Sequence, residues 1–408
     1  MNIYISGISG TGMGPLALMA KQAGLRVCGS DLKEGAVYSE LIKAGIEVRI
    51  GEQDGEFLTE KIKEGVDWFV YTSALSDTHA ELVMARESGI KCTKRDDLTA
   101  FLVDKLGLKM IAVAGTHGKT TTTAMIVWMA LKLKLPVSYI VGTTLGFAPS
   151  GAYHEGDRYF VYEADEYDRN FLKYHPWLSI ITCVSYDHSD IYNSREDYKK
   201  AFLQFEKQSE RVVKEGINEE YKLAGEVRRR DAGLAAVAVN EMMKAEGREE
   251  NPEEIRRIIS EFPGVGRRFE RIADGVYTDY AHHPEEIEAT MDVAIDEAKL
   301  RGKKGVVVVY QPHQNIRQHE VFDGYRKVFV GAEKVYWLPT YLTREDPNLR
   351  IIKPEEFIRS LVNSEIAEKA ELDDELKTRL EQFLKDGLLV VLMSAGPADD
   401  WFKKHLKK

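Results

Sequence analysis

The chain has few cysteines, lacks long apolar runs and has no excess of positive charge. Its 408 residues include three cysteines, and none of them belongs to a C-x-x-C pattern. Three widely spaced thiols predict reduced cysteines in a cytoplasmic protein rather than a disulfide framework. No apolar run approaches the roughly 18 residues that cross a bilayer, so we expect no membrane partner. The first residues, MNIYISGISG, do not combine a basic region, an apolar core and a cleavage site, which argues against secretion.

The charge balance also limits the classes of partner. The sequence has 56 lysines and arginines against 66 aspartates and glutamates, which gives a formal net charge of −10. This balance argues against a general affinity for nucleic acid. It remains compatible with a phosphate-bearing ligand, because backbone N–H groups and a single lysine can bind phosphate locally. The sequence does not predict an oligomeric state.

Short apolar strands alternate with helices along the chain, which predicts an α/β fold of mainly parallel, doubly wound sheets. We expect three domains: a Rossmann-like N-terminal domain (1–104), a shortened P-loop central domain (105–262) and a Rossmann-like C-terminal domain (263–408). A central helix from residue 195 is expected to place these residues on one face: Tyr198, Phe202, Phe205 and Val212. Helices of the third domain are expected to start near Pro284, Glu320, Pro354, Asp373 and Ala398.

The segment AVAGTHGKTTTT, residues 112–123, predicts a phosphate-binding turn between a strand and a helix. Such a turn points backbone N–H groups at phosphate oxygens, at the positive end of the helix dipole. Lys119 would add a point charge and Thr120 a hydroxyl for Mg²⁺. The usual first glycine is replaced by Val113, which weakens the match to the motif but leaves the mechanism intact. We predict a nucleoside triphosphate site formed by Gly115, Thr116, His117, Gly118, Lys119, Thr120 and Thr121.

Acidic residues follow the next predicted strand. The segment YEADEYD places four carboxylates, starting at Glu163, at and after the strand end, and SYDHSD places His188 at the end of the following strand. A triphosphate site needs carboxylate ligands for its metal ion. An acidic surface loop and a structural histidine are the alternative interpretations. We favour a metal site at this edge of the sheet.

A second glycine-rich turn, SGISGTGMG, follows the first strand and opens a helix, with Asp31 at the end of the next strand. The pattern is a permuted relative of the dinucleotide fingerprint, so a hydride-transferring dehydrogenase is one candidate function. A dehydrogenase does not need the triphosphate turn of the next domain. We therefore expect a second phosphate-bearing ligand here, such as a nucleotide sugar.

Basic residues follow two strands of the third domain. The segment TDYAHHPEEIEAT places His282 and His283 after one strand, and YQPHQNIRQHEVF places His313 and Arg317 after another. As isolated histidines they would be structural. Two such clusters at the active edge of one sheet suit a carboxylate or phosphate substrate.

The chain resembles the Mur ligases of peptidoglycan synthesis in the order of its motifs. After the glycine-rich turn, these motifs are GTHGKTTTT, EADEYD, DHSD, GVGRRFE, DYAHHPEE and QPH. The branch that adds L-alanine to UDP-N-acetylmuramate is the most similar. The resemblance implies domains for UDP-sugar, ATP and amino-acid binding, and ATP-dependent amide formation through an acyl-phosphate. Two alternatives stay open: a recycling ligase that attaches a preformed tripeptide to UDP-N-acetylmuramate, and a Mur-like ATP-binding protein without ligase turnover.

The resemblance also implies roles for individual residues. Lys119 would stabilise the phosphates, Thr120 and Glu163 would bind one Mg²⁺, and His188 a second. Arg268 and Asp279 would meet ATP from the third domain, whereas His282 and Arg317 would lie near the amino acid and the acyl-phosphate. The UDP-sugar site would include Gly7, Gly10, Thr11, Gly12, Met13, Ser30, Asp31, Thr72 and Ser73.

Overall fold

The computed structural model describes residues 1–35, 37–72, 75–186, 191–217, 221–343 and 345–406. Across these residues the strands form three mainly parallel sheets, which confirms the predicted α/β fold class. The chain divides into two compact units. The first unit comprises Met1–Glu219 and Asp231–Pro263, and the second comprises Glu220–Arg230 and Gly264–Lys408. No helix in the described part of the chain is both long and apolar enough to cross a membrane.

The first sheet lies in the first unit. Its strands are β1 (Asn2–Ser6), β2 (Arg26–Asp31), β3 (Glu47–Ile50), β4 (Trp68–Tyr71) and β5 (Lys91–Lys94). Its helices are α1 (Met13–Gln22), α2 (Tyr38–Lys43), α3 (Glu56–Glu64), α4 (Ala80–Glu87) and α5 (Arg95–Leu106). The strand order is β3-β2-β1-β4-β5, with parallel pairing throughout. Because helices cover both faces, alternate residues of β1 are buried on opposite sides: Ile3 and Ile5 in one apolar cluster, Tyr4 in another.

The second sheet also lies in the first unit. Its strands are β6 (Lys109–Ala114), β7 (Val137–Ile140), β8 (Gly151–Ala152), β9 (Tyr159–Glu163), β10 (Leu178–Ile181) and β11 (Val212–Val213). The helices of this part of the chain are α6 (Lys119–Lys132), α7 (Arg195–Lys207), α8 (Glu226–Ala245) and α9 (Pro252–Ser260), with a 3-10 helix at Tyr167–Lys173. The order is β11-β10-β6-β9-β7-β8, and only the short β8 pairs antiparallel among the described strands. The central position of β6 places the turn after it at the middle of the sheet edge.

The predicted apolar face of the helix after residue 195 is partly wrong. Tyr198, Phe202 and Phe205 are buried on α7, as predicted. Val212 instead belongs to β11, because α7 ends at Lys207 and the chain returns to pair beside β10.

The third sheet lies in the second unit. Its strands are β12 (Glu270–Ala273), β13 (Val276–Asp279), β14 (Val306–Gln311), β15 (Lys334–Trp337), β16 (Ala367–Lys369) and β17 (Leu389–Ser394). Its helices are α10 (Pro284–Leu300), α11 (Asn315–Glu320), α12 (Pro354–Ser360), α13 (Asp374–Lys385) and α14 (Ala398–His405), with 3-10 helices at Phe322–Lys327 and Ser364–Ile366. The order is β12-β13-β17-β14-β15-β16, and β12 pairs antiparallel with β13.

The helix that the sequence predicts near Glu320 starts earlier. Here α11 begins at Asn315 and ends at Glu320, and a short 3-10 helix follows it. Gln314, the residue before α11, adopts φ 63° and turns the chain between β14 and this helix. The carboxylate of Glu345 then accepts the backbone N–H of Asn315 at 2.9 Å, so the first turn of the helix is satisfied there.

Candidate active site

The turn between β6 and α6 has the geometry of the predicted phosphate-binding turn. Gly115 has φ 139° and Gly118, the N-cap of α6, has φ 87°, both in the region that favours glycine. A Cβ on Gly115 would lie 2.2 Å from Oγ1 of Thr182. Glycine at position 115 is therefore required by close packing as well as by backbone conformation.

The end of β10 holds this turn in place. The backbone N–H of Thr116 donates to Cys183 O at 2.9 Å, and its Oγ1 donates to Ser185 O at 2.7 Å. The N–H of His117 faces Cys183 Sγ at 3.3 Å. The structure thus places Thr116 and His117 as residues that fix the turn, whereas Thr121 lies half-buried in the first turn of α6.

Lys119 points back along the turn and forms a buried ion pair. Its Nζ donates to Glu166 Oε2 at 2.8 Å, to Oε1 at 3.1 Å and to Gly115 O at 2.7 Å. Burial acts to lower the pKa of Lys119, but the carboxylates of Glu166 and Asp165 outweigh it and the net shift is upward. The ammonium therefore stays charged and sits at the mouth of the turn, where a phosphate would lie.

The structure brings Thr120 and Glu163 together as predicted. Oγ1 of Thr120 donates to Glu163 Oε2 at 2.8 Å, and Glu163 Oε1 accepts the N–H of Gly142 at 2.9 Å. A hydroxyl and a carboxylate are hard oxygen ligands, so this pair fits the preferences of Mg²⁺. The third predicted ligand, His188, lies outside the described residues.

The acidic segment after β9 is conformationally strained. Asp168 and Arg169 have φ of 54° and 56°, a left-handed conformation that costs non-glycine residues about 1–3 kcal/mol each. Asp168 forms an ion pair with Lys94, and Arg169 with Asp197 at 2.7 Å. Burial raises the pKa of Asp165, although Lys119 opposes the shift. These contacts hold the carboxylates in a fixed arrangement beside the phosphate turn.

An open cavity of about 520 Å³ lies in the first unit between the N-terminal glycine turn and this acidic segment. Its lining includes these residues of the predicted UDP-sugar site: Gly7, Gly10, Thr11, Gly12, Met13, Asp31 and Thr72. Ser30 is buried and donates to Glu81 at 2.8 Å beneath this surface. Ser73 lies outside the described residues. The cavity also reaches Asp165, Tyr167 and Asn170, which follow β9 of the second sheet.

Arg95, the first residue of α5, brings a cation to the N-terminal glycine turn. A Cβ on Gly12 would lie 2.5 Å from Nη1 of Arg95, so the guanidinium packs closely against the backbone of this turn. Asp31 Oδ2 accepts the backbone N–H of Ser9 at 2.8 Å and thereby fixes the turn from its other side. A guanidinium over a glycine turn is suited to a diphosphate.

In the second unit, His282 lies at the end of β13 with its tautomer defined by its neighbours. Nδ1 is 3.0 Å from Tyr280 O and 3.2 Å from Glu286 Oε2, both acceptors, so Nδ1 carries the proton. Nε2 then holds a lone pair in the neutral ring. Burial lowers the pKa of His282, and the guanidinium of Arg317 adds to this, whereas Glu286 opposes it. A neutral imidazole at this edge can accept a proton.

The His282 ring lies beside further predicted residues. Its centroid is 5.5 Å from that of His313, which stacks on Tyr341 at 5.7 Å. Arg317, on α11, is near enough to influence the pKa of His282. The structure therefore brings His282, His313 and Arg317 to one edge of the third sheet.

Asp279 is buried and organises the segment that carries Arg268. Its Oδ2 accepts the N–H of Phe269 at 2.7 Å, and its Oδ1 that of Ala281 at 2.8 Å. Arg267 and Phe269 have φ of 57° and 51°, so strained residues flank Arg268 on both sides. Burial raises the pKa of Asp279, and Arg268 opposes the shift. The Asp279 carboxylate thus fixes the backbone next to Arg268 through its hydrogen bond with Phe269. The Arg268 guanidinium lies over the Tyr280 ring, 5.2 Å from its centroid.

Acid should destabilise the protein through His282. Because burial lowers its pKa in the folded state, the unfolded chain, with a pKa of about 6.5, binds the proton more tightly. The free energy of unfolding should therefore fall as the pH drops below about 6.5 and be unaffected by this group above about pH 7.5. Denaturant unfolding of the wild type and of His282→Gln at about pH 7.5 and about pH 5.5 measures this effect. We expect a smaller loss in the variant, and equal losses would contradict the prediction.

Sequence reasoning missed Glu166 as the partner of Lys119, and Arg95 and Gln53 as cavity residues. Glu166 was visible as part of an acidic run, and Arg95 as the first residue after β5. Nothing in the spacing indicated which carboxylate would face the lysine.

Comparisons with known proteins identify the family of this chain. The model for the Mur ligase family, catalytic domain, matches residues 2–105, and that for the Mur ligase middle domain matches residues 113–241. The UDP-N-acetylmuramate–L-alanine ligase of Carboxydothermus hydrogenoformans is 33% identical over 461 residues, covering 97% of this chain and 94% of the relative.

Solved structures share the fold. The UDP-N-acetylmuramate-alanine ligase of Thermotoga maritima superposes with a TM-score of 0.77 at 23% identity, covering 100% of this chain and 98% of that one. The murein peptide ligase of Psychrobacter arcticus gives 0.62 at 22% identity, with coverages of 100% and 98%. The resemblance that the motifs predict is confirmed by family models and by a relative that spans almost the whole sequence. The chain belongs to the Mur ligase family.

Proposed function

We propose that this chain is an ATP-dependent ligase that joins L-alanine to UDP-N-acetylmuramate in peptidoglycan precursor synthesis. One observation carries the proposal: in the first unit, a cavity lined by the N-terminal glycine turn reaches the acidic segment beside Lys119, Thr120 and Glu163. A nucleotide sugar in that cavity would present its carboxylate near the phosphate turn. The sequence relationship to L-alanine-adding ligases supports the same choice of substrates.

The reaction requires two group transfers. The muramyl carboxylate attacks the γ-phosphorus of ATP, which gives an acyl-phosphate and ADP. The amine of L-alanine then attacks the acyl carbon, and the tetrahedral intermediate collapses to the amide and phosphate. Lys119 would offset the negative charge of the transferring phosphoryl group. The neutral Nε2 of His282 would take the proton from the amine, and Arg317 would orient a carboxylate or the acyl-phosphate.

Metal binding fits the residues present. Thr120 and Glu163 would hold Mg²⁺, which supplies charge neutralisation at the phosphates when bound. We assign His188 to a second ion on the family resemblance alone.

We further assign UDP-sugar binding to residues 1–104, ATP binding to 105–262 and amino-acid binding to 263–408, with Arg268 and Asp279 serving ATP from the third domain. We place the enzyme in the cytoplasm, where ATP is available and where its three free cysteines would stay reduced.

A recycling ligase that attaches a preformed tripeptide is the second candidate. The first turn, GISGTGMGPLA, resembles that of the recycling branch, and a murein peptide ligase shares the fold over the full chain. The motifs QPH and Arg317 favour the L-alanine-adding branch.

Phosphate release from ATP tests the proposal. The purified protein should release phosphate only when UDP-N-acetylmuramate and L-alanine are both present. Release with L-Ala-γ-D-Glu-meso-diaminopimelate but not with L-alanine would establish the second candidate instead. ATP binding without release under either acceptor would indicate a binding protein without turnover. A Glu163→Gln variant assayed in parallel controls for contaminating ATPases.

A further inference from the structure

A buried hydrogen-bond network lies beneath one wall of the first-unit cavity. Glu81 on α4 is 1% exposed, and its carboxylate is surrounded by hydroxyl groups. Oε1 accepts from Tyr4 Oη at 2.5 Å, and Oε2 accepts from Ser6 Oγ at 2.6 Å and from Ser30 Oγ at 2.8 Å. The two serines stand at the ends of β1 and β2. Above them, Nε2 of Gln53 lies 3.0 Å from Ser6 Oγ and 2.8 Å from Ser30 Oγ.

The number of hydroxyl hydrogens available in this network determines the orientation of the Gln53 amide. Each serine hydroxyl has one hydrogen, and each donates it to the Glu81 carboxylate, which only accepts when ionised. The serine oxygens can then only accept, so the group that faces them must be the NH₂ of Gln53. A flipped amide would set its oxygen against two oxygens with no hydrogen to offer, at a cost of about 1–3 kcal/mol for the unmade bonds.

This orientation gives the cavity a defined acceptor. Gln53 lines the cavity, and with its NH₂ turned to the serines its Oε1 is the amide atom left for a ligand. No described residue donates a hydrogen bond to that oxygen. An ionised diphosphate offers only acceptor oxygens, so Oε1 suits a different part of the ligand. It requires an N–H or O–H donor.

The neighbouring wall suits a base rather than a sugar. Leu32, the residue after β2, lines the same cavity and is 68% exposed, so its side chain is accessible to a ligand. Leu75 adds further apolar lining. Apolar surface for a ring plane together with one fixed acceptor matches a pyrimidine with an imide N–H. Uracil offers a donor at N3, whereas cytosine offers an acceptor there.

We propose that Gln53 is a specificity-determining residue that accepts a hydrogen bond from the imide N3–H of the uracil base, and that Glu81 is the positioning residue that holds its amide in register. The assignment rests on the proposed function, since it takes the cavity to hold the UDP sugar. It adds to that function the group that selects uridine over cytidine nucleotides.

Calorimetric binding of UDP, CDP, N3-methyl-UDP and 2′-deoxy-UDP tests the role of Gln53. The wild type should bind UDP at least about tenfold more tightly than CDP or N3-methyl-UDP, and 2′-deoxy-UDP about as well as UDP. In Gln53→Met the preference for UDP over N3-methyl-UDP should shrink to about twofold or less. Thermal unfolding confirms that the variant is folded.

The possible failures are distinct. A wild type that binds no uridine nucleotide would overturn the proposed function and this assignment with it. A wild type that binds UDP, with the same UDP to N3-methyl-UDP ratio in Gln53→Met, would overturn the assignment alone. Loss of 2′-deoxy-UDP binding that depends on Gln53 would show a ribose contact and overturn the imide contact.

The positioning role of Glu81 has its own matched pair of variants. Glu81→Gln frees the serine hydroxyls to donate to Gln53, so the amide can flip and the preference for UDP over CDP should fall about tenfold. Tyr4→Phe removes the other hydrogen bond to the carboxylate but leaves the serines oriented, and its preference should match the wild type. A folded Glu81→Gln protein with an unchanged preference would refute the positioning role.

Discussion

Replacing Lys119 with methionine is expected to slow phosphate release by roughly 100- to 1,000-fold while leaving the affinity for UDP-N-acetylmuramate within about twofold. The reason is a division of roles inside the first unit. The ammonium lies at the phosphate-binding turn against Gly115 O and Glu166, whereas the cavity that we propose for the sugar is lined by the N-terminal glycine turn. Steady-state phosphate release and calorimetry with UDP-N-acetylmuramate measure the two quantities. An equal fall in sugar affinity would refute this division.

The same substitution should also reduce stability, which a second variant can separate from catalysis. Removing the lysine leaves the fully buried carboxylate of Glu166 without that ammonium, and breaking such pairs typically costs about 3–5 kcal/mol. The Lys119→Met/Glu166→Gln double variant removes both charges and should regain most of the stability while remaining inactive. Recovery of activity along with stability would mean that the lysine serves folding only.

Replacing Glu163 with glutamine is expected to raise the Mg²⁺ concentration for half-maximal activity by about tenfold to 100-fold, with a matching loss of activity at fixed Mg²⁺. Glutamine is isosteric and can keep the contacts that Glu163 makes with Thr120 and with the N–H of Gly142. What it loses is the negative charge that a hard cation requires. Titration of phosphate release with MgCl₂ provides the measurement.

Asp157 offers a matched control for Glu163→Gln. It belongs to the first unit, and its carboxylate accepts from Ser138 at 2.7 Å, away from the phosphate turn. Asp157→Asn should leave the Mg²⁺ midpoint unchanged. An unchanged midpoint in Glu163→Gln as well would remove Glu163 from the metal site.

The sequence predicted the elements of this protein better than the pairing of its side chains. Strand β6, its turn and α6 were predictable because glycine spacing, the lysine and the apolar strand all fall within twelve residues. The end of α7 was not, because Val212 could continue the helical period, and only pairing with β10 shows that it is a strand. Likewise, the start of α11 depends on the backbone of Gln314 and on the distant Glu345.

The candidate sites show the same division between local and distant information. Glu163 was predicted because it ends a strand beside the phosphate turn. Glu166, three residues later, could not be told from its acidic neighbours until folding set it against Lys119. Arg95 and Gln53 reach the cavity from different strand ends, and only their proximity in space reveals them. Strained residues such as Asp168 carry no sequence signal, since their left-handed backbone is imposed by contacts around them.

Hydrogen bonds and ion pairs join the start of α5 to the residues after β9. Asp96 accepts from Tyr174 Oη at 2.7 Å, Asp97 pairs with Lys173 at 2.5 Å, and Lys94 pairs with Asp168. The first-unit cavity that we propose for the UDP sugar and the phosphate-binding turn thus belong to one compact unit. A chimeric compound that carries a diphosphate mimic and a triphosphate mimic on a stiff linker would meet both at little entropic cost. Such a molecule should bind with a higher affinity than either half alone, and the gain in affinity should depend on the length of the linker.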